Sequence, residues 1–497
     1  MASRLPDSLS RSELLGTAII LAGTALVLWY LLPPPLLALG GLIVGVTSVV
    51  YIGVFASLFS DGLFSALTPN VPVWVIFLLP IIISGLVISS FDVQFSLVNG
   101  ILFVALLLST CTYWLVVPTA VYQHYSTGSD SVHVDEWPSI AIVVPAFNEE
   151  GYVGDCIESC LTVEYPEHEL EIVVVDDGST DGTYEEAIEY ADQGVTVYTK
   201  GNGGKNSALN TGIERTESDL IVCVDADSRI DSQSLKALVR RYDADPDTCA
   251  VAGNVRVANT GSAVTDLQSL EYIIGTNIFR RALDYLGLVQ VVPGCLGLFD
   301  RELVSEVGMY SDDTLTEDFD LTLSLLKQGK NVRYSSDALV KTEAPGTWND
   351  LYKQRVRWFT GNVQAVLKHN NIFRDPEFGY LHLFVTPYIL FSMVIIPLLG
   401  VVVSGALIWM LLVGSVLKLL AILTLFVLIQ TLFCTLAVLI EDGDLSLLKY
   451  APLTIIGFKQ FLDVILFKGA LDVLRNQNVS WTHPTRMRHR EEQNVGE

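Results

Sequence analysis

The sequence predicts an α/β domain with a mostly parallel, Rossmann-like sheet, inserted between α-helical apolar segments. Three observations predict it. Apolar runs of bilayer-spanning length lie toward both ends of the 497-residue chain. From residue 138, short β-rich runs alternate with helical stretches, the signature of βαβ units. Charge is concentrated in that middle: residues 130–375 hold 42 Asp/Glu and 20 Lys/Arg, although 51% of the whole chain is hydrophobic.

The amino-terminal part, residues 1–125, reads as a membrane region of about four spans. Its apolar runs cover 14–32, 36–59, 71–90 and 97–122. Arg4 and Arg11 precede the first run and Pro33, Pro34 and Pro35 end it. The intervening loops carry Asp61 and Asp92 but no Lys or Arg, so the charge bias puts the amino terminus and the domain after residue 125 in the cytoplasm. A cleavable signal would have a shorter apolar core and a small-residue site. Residues 126–137 are a polar linker.

Within 138–345, Ile140–Val144, Glu171–Val175, Val195–Thr199 and Leu220–Val224 read as strands. Tyr184–Ala191 and Lys205–Glu214 read as helices between them. Sheets of this type bind ligands beyond the carboxyl ends of their strands. The turns that fall there are Pro145-Ala146-Phe147-Asn148-Glu149, Asp176-Asp177-Gly178-Ser179 and Asp225-Ala226-Asp227-Ser228.

Residues 346–378 read as interfacial helices. Residues 379–475 are apolar again. The part 380–440, interrupted by Gly400 and Lys418, is long enough for two or three spans. Residues 445–475, with Lys449, Lys459, Asp463 and Lys468, fit a last span or an interfacial helix. Arg475, Arg486, Arg488 and Arg490 favour a cytoplasmic tail over 476–497.

The net charge of −25 argues against nucleic acid as a partner, which requires a basic face. It fits a halophile's high-salt cytoplasm, where screening weakens self-repulsion. The seven cysteines form no zinc set, and Cys156 and Cys160, four apart, read as buried thiols in a reducing compartment.

Three clusters carry chemistry. Asp225 and Asp227, at i and i+2 after an apolar strand, can aim at one divalent cation, Mg²⁺ or Mn²⁺, bound to a diphosphate. Such turns are also common for purely local reasons. Glu317 and Asp318 open a predicted helix over Glu317–Gln328, where acids complement the helix dipole. With Asp320 near and a metal motif upstream, Asp318 is a candidate general base. In the helix Tyr352–Leu367, Gln354, Arg357 and Trp358 share a face that suits a phosphate clamp and a sugar-stacking ring. Asp177 can accept from a uracil or ribose. The run Gly201–Gly204, with Lys205 after it, is a flexible loop with a cation at a helix start.

With these residues in place, the chain resembles the processive family-2 glycosyltransferases, the membrane synthases of cellulose, chitin, hyaluronan and poly-N-acetylglucosamine. The motifs are Val144–Glu150, Asp176–Ser179, Gly204–Asn210, Asp225–Asp227, Thr316–Asp318 and Gln354–Trp358, in that order, over roughly 138–365. The resemblance implies an A-type glycosyltransferase fold and an inverting transfer from a UDP-sugar to a growing β-linked polysaccharide, of N-acetylglucosamine or hyaluronan type, with export across the membrane. A non-processive addition of one sugar to a lipid-linked glycan, as in surface glycoprotein assembly, is the alternative. The implied donor-binding residues are Ala146, Glu149, Asp177, Lys205, Asp225, Gln354 and Arg357. Asp227 would hold the metal and Asp318 would be the base. Gly294, Cys295, Glu317 and Trp358 would face the acceptor, glycan or lipid-linked. Leu298-Phe299-Asp300 departs from the family's Ala-Phe-Arg ending after that loop. Trp481 and Arg486 are similar to the gating loop of hyaluronan-type synthases. The implied setting is a multi-pass cytoplasmic membrane, with lipids as partners.

Overall fold

Among the described residues, eight strands form one mixed sheet. The computed structural model describes residues 136–475, together with Val116, Thr119, Ala120, Gln123, His124 and Val134. The expected spans before residue 115 and the tail with Trp481 and Arg486 lie outside the described residues. The described part divides into two units, considered separately. One comprises 394–436 and 451–460. The other comprises the residues up to 393, 437–450 and 461–475, and holds the sheet.

In the sheet unit, β1 (Ile140–Ala146), β2 (Leu170–Asp176), β3 (Val195–Thr199) and β4 (Leu220–Cys223) pair in parallel. These are the four strands expected from the sequence. The helices between them are α1 (Val153–Leu161), α2 (Thr183–Ile188) and α3 (Lys205–Glu214). The second half was not legible as strands. It contains β5 (Ser228–Ile230), α4 (Ser234–Asp243), β6 (Thr248–Val257), α5 (Ala263–Glu271), a π-helical turn Tyr272–Asn277, and α6 (Ile278–Asp284). Then follow β7 (Gly297–Asp300), α7 (Arg301–Glu306), α8 (Glu317–Leu326), β8 (Asn331–Thr342) and α9 (Trp348–Lys368). Here β7 runs antiparallel to both β4 and β6, β5 is antiparallel to β8, and β6 pairs parallel with β8.

The strand β1 shows why the sheet lies at the centre. Every residue in it is buried. Ile140, Ile142 and Val144 enter one apolar cluster, while Ala141 and Val143 enter the other. The period of two thus feeds two layers, as a strand covered on both faces must. Each such Ile or Val contributes roughly 1.5–3 kcal/mol by leaving water. The helix α3 approaches closely because residue 212 is glycine: a Cβ there would lie 2.4 Å from Val143 Cγ1. Any larger residue at 212 would push α3 off the sheet.

Beyond α9, the helices Leu381–Leu412 and Ile422–Ile440 are long and apolar enough to cross a membrane. A bent pair, Leu445–Ile455 and Phe458–Leu474, meets at 57° and passes the same test only when taken together. The backbone is helical through both Gly400 and Lys418. The break falls at Gly414, whose φ of +77° no β-carbon residue adopts cheaply.

Candidate active site

The parallel register brings three strand ends to one edge. Ala146 lies opposite Asp176 in the β1–β2 ladder, and β4 ends two residues before Asp225. The first two turns are tied together. Asn148, with φ at +54°, donates its N–H to Ser179 Oγ at 3.0 Å, and its side chain accepts from Thr180 N at 2.8 Å. Gly178 is required in the second turn, because a Cβ would meet Asn202 N at 2.9 Å with φ at +75°. Asp177 is buried. Its carboxylate accepts from Lys200 Nζ at 2.7 Å, Gly203 N at 3.0 Å and Gly204 N at 2.7 Å. The glycine-loop amides therefore hold a carboxylate.

The helix α3 starts at Lys205, and its ammonium sits between two acids. Lys205 Nζ is 2.6 Å from Asp225 Oδ1 and 3.3 Å from Glu317 Oε1. Burial alone would lower its pKa, but Asp225 and Glu317 outweigh burial and raise it. Gly294 leaves room for this ammonium, since a Cβ would come within 2.7 Å of Nζ. Asp225 is raised by burial, with Lys205 opposing. Glu317 would be raised by burial, but Lys205 and Arg357 bring it below its ordinary value. Asp318 is pushed up to about 6, first by burial and then by the charge of Glu317. Two adjacent carboxylates at one helix start thus separate, one held ionised and one poised near neutral pH. Asp227 Oδ1 accepts from Ser228 Oγ at 3.2 Å and Thr342 Oγ1 at 3.3 Å, which aims it from the β4–β5 turn.

The helix α9 packs directly on the start of α8. A Cβ at Gly361 would lie 2.7 Å from Thr316 N, so the small residue lets the two helices touch where Glu317 and Asp318 begin. Thr347 caps α9 by accepting from Asp350 N. Arg355 is buried, pairs with Glu271 at 2.6 Å and stacks over Trp358, 4.2 Å from the ring centroid.

These elements enclose a cavity of about 1030 Å³. Ala146, Glu149, Asp177, Lys205, Asp225 and Asp227 line it from the strand-end side. Gly294, Cys295, Glu317, Asp318, Gln354, Arg357 and Trp358 line it from the other. The structure thus brings together every expected site residue that it describes. Among the described residues, no three His, Cys, Asp or Glu side chains form a closed metal cage. Asp225 and Asp227 nevertheless suit Mg²⁺ or Mn²⁺ arriving with a diphosphate, because such ions need one or two carboxylates and take their remaining ligands from phosphate and water.

Sequence reasoning missed two arginines. Arg355 was legible only as part of the Gln354–Trp358 cluster. Arg280, on α6, is buried and lines the cavity; its one sequence signal is the Arg280-Arg281 pair in a base-poor chain. Asp300, the departure noted above, sits opposite Leu220 at the far end of β4. There it caps α7 through Leu303 N at 3.0 Å and accepts from Tyr242 Oη at 3.0 Å. It is a structural cap away from the strand-end edge. Cys156 and Cys160 are free and buried, as expected.

A strand-edge cavity with an Asp-x-Asp turn and a carboxylate-led helix defines an A-type glycosyltransferase domain. Residues 141–308 match the model of Glycosyl transferase family 2, and the chain carries a domain of that family. It is similar to the poly-beta-1,6-N-acetyl-D-glucosamine synthase of Staphylococcus aureus, with 28% identity over 277 residues, 54% of this chain and 66% of the relative. The synthase of the same name from Staphylococcus epidermidis is 31% identical over 231 residues, covering 46% and 56%. The chain thus spans about two thirds or less of these relatives' length. Among solved structures, the mannosyltransferase of Pyrobaculum calidifontis in complex with GDP-Man and Mn²⁺ shares the fold. Its TM-score is 0.52 at 19% identity, over 77% of this chain and all of that one.

Proposed function

We propose that the protein is a membrane glycosyltransferase that elongates a β-linked polysaccharide by inverting transfer from a UDP-sugar. The observation that carries this reading is the division of charge at the start of α8: Asp318 is poised near neutrality beside an ionised Glu317 that holds Lys205. The donor's diphosphate would lie against Lys205, Asp225 and Arg357, with Gln354 beside it. Asp318 would take the proton of the attacking hydroxyl, and Trp358 would offer its ring to the acceptor sugar. Gly294 and Cys295 would shape the acceptor side. Ala146, Glu149 and Asp177 would shape the nucleotide end, Asp177 acting through the loop it holds. Asp225 and Asp227 would hold Mg²⁺ or Mn²⁺, which supplies charge neutralisation for the departing diphosphate.

The named relatives and the Gln354–Trp358 motif support polymer synthesis over a single addition, with N-acetylglucosamine the first sugar to test. The two apolar helices support a membrane setting, and Arg4 and Arg11 before the first apolar run support a cytoplasmic domain. The acidic composition supports a halophilic host. The test is incorporation of label from a panel of UDP-sugars by the detergent-solubilised protein, with Mg²⁺ or Mn²⁺, at low and high salt. A ladder of products from one or two donors is expected. A single lipid-extractable addition would instead establish the lipid-linked alternative, and no transfer from any UDP-sugar would refute the donor class.

A further inference from the structure

We propose that Arg280 binds an oxyanion carried by the acceptor: the carboxylate of an acidic sugar or the phosphate of a lipid carrier. This rests on the transfer reading above. Arg280 is 8% exposed and lines the cavity. Its Nη1 is buried without a hydrogen-bond partner, and no carboxylate lies within ion-pair distance of it, among the described residues. Among the described residues, the other two buried guanidiniums of the domain, Arg281 and Arg355, are compensated, and so are the half-buried Arg241 and Arg333. Arg241 pairs with Asp284, Arg281 with Glu441, Arg333 with Asp245 and Arg355 with Glu271. In a chain with 55 acids and 30 bases, a buried guanidinium without a carboxylate is a place kept open. Leaving such a charge unpaired is costly unless a ligand supplies the counter-charge.

Position assigns that ligand to the acceptor. Arg280 lies among Tyr334, Cys295, Asp318 and Tyr272, of which only Asp318 is an acid. Asp318 is the group that would receive the acceptor's proton, and Cys295 belongs to the acceptor-side loop. A second donor facing the same cavity, Gln290 Nε2, is also buried without a partner. Two waiting donors call for a ligand rich in acceptor atoms. A neutral hydroxyl or amide would satisfy the hydrogen bonds but leave the guanidinium charge uncompensated.

The test measures binding to the full-length, detergent-solubilised protein without donor. It uses two matched pairs: a β-linked tetrasaccharide ending in a uronic acid against its carboxyl-reduced counterpart, and a polyprenyl phosphate against the polyprenol. The wild type is expected to bind the anionic member of one pair at least about ten-fold more tightly. The pair that discriminates identifies the source of the anion. Arg280→Gln should erase the discrimination and Arg280→Lys should keep part of it. Arg280→Met should melt no lower than the wild type, because an uncompensated charge has been removed. Equal binding within both pairs overturns the proposal, as does discrimination that survives Arg280→Gln. A clear loss of thermal stability in Arg280→Met also overturns it, since it would show a structural partner. Label transfer run in parallel separates the two readings: Arg280-dependent binding without any transfer refutes the glycosyltransferase reading alone, and transfer without anion preference refutes this inference alone.

Discussion

The two sides of the cavity differ in how their charges are balanced. On the strand-end side every cation near the edge already has an anion: Lys205 lies between Asp225 and Glu317, and Lys200 lies on Asp177. Arg280, which lines the same cavity, has no carboxylate within ion-pair distance among the described residues. A balanced site is stable when empty and must exchange partners when a diphosphate enters. An unbalanced site bears its cost while empty and recovers it on binding. If the proposed roles hold, the donor end is tuned through networks, where one substitution moves several groups, and the acceptor end through a single residue.

The largest break in this comparison is Asp318→Asn. It removes the base and leaves the Lys205 network standing, so kcat should fall by about a thousand-fold or more while UDP still binds. Transfer that survives would exclude Asp318 from the proton step. Asp227→Ala should cost a comparable factor, and added Mn²⁺ should not restore the rate. Recovery at high metal concentration would instead make Asp227 a minor ligand.

A contrast within one helix comes next. Arg357 faces the cavity, while Arg355 is buried against Glu271 and Trp358. Arg357→Ala should raise the donor KM about ten-fold or more with little change in melting temperature. Arg355→Ala should act mainly on stability. It strands the half-buried Glu271 and removes the stack on Trp358, a loss of about 2–3 kcal/mol, discounted because Glu271 stays partly wet. Thermal melts and donor titrations on both variants check the split, and a stability loss in Arg357→Ala larger than in Arg355→Ala would reverse the assignment.

The parallel half was legible in the sequence because it is written in local terms. β1, β2 and β4 are apolar runs, β2 and β4 pass into turns of Asp, Gly and Ser, and α3 starts and ends where its pattern does. The second half was not. The strands β5 to β8 are built from pairings distant in sequence, β6 with β8 and β4 with β7, and β5 has only three residues. The site residues were found because their side chains carry chemistry in an ordered set of motifs. Their electrostatics were not. Nothing in the sequence says that Asp177 is occupied by the glycine loop, or that Arg280 lacks the carboxylate its neighbour Arg281 has. Those depend on which side chain reaches which, and that is set by packing across the sheet.

The smallest expected effect sharpens the donor side most. As the proposed base Asp318 would act only when deprotonated, so with its pKa pushed up to about 6 the rate should rise between roughly pH 5 and 7 and level off above. Burial is the main cause and the charge of Glu317 the second. Glu317→Gln removes the second cause. It also frees Lys205 from one of its two acids, which leaves that cation more available to Asp318. Both changes favour the carboxylate, so the acid limb of kcat/KM should move to lower pH. Its magnitude is bounded because burial remains. The profile is to be measured with saturating metal and one UDP-sugar, wild type beside the variant. A limb that stays in place would mean that Glu317 and Asp318 titrate independently. A limb that moves up would mean that Glu317 acts chiefly by holding Lys205 near the base, and the balanced network would then serve Asp318 before it serves the diphosphate.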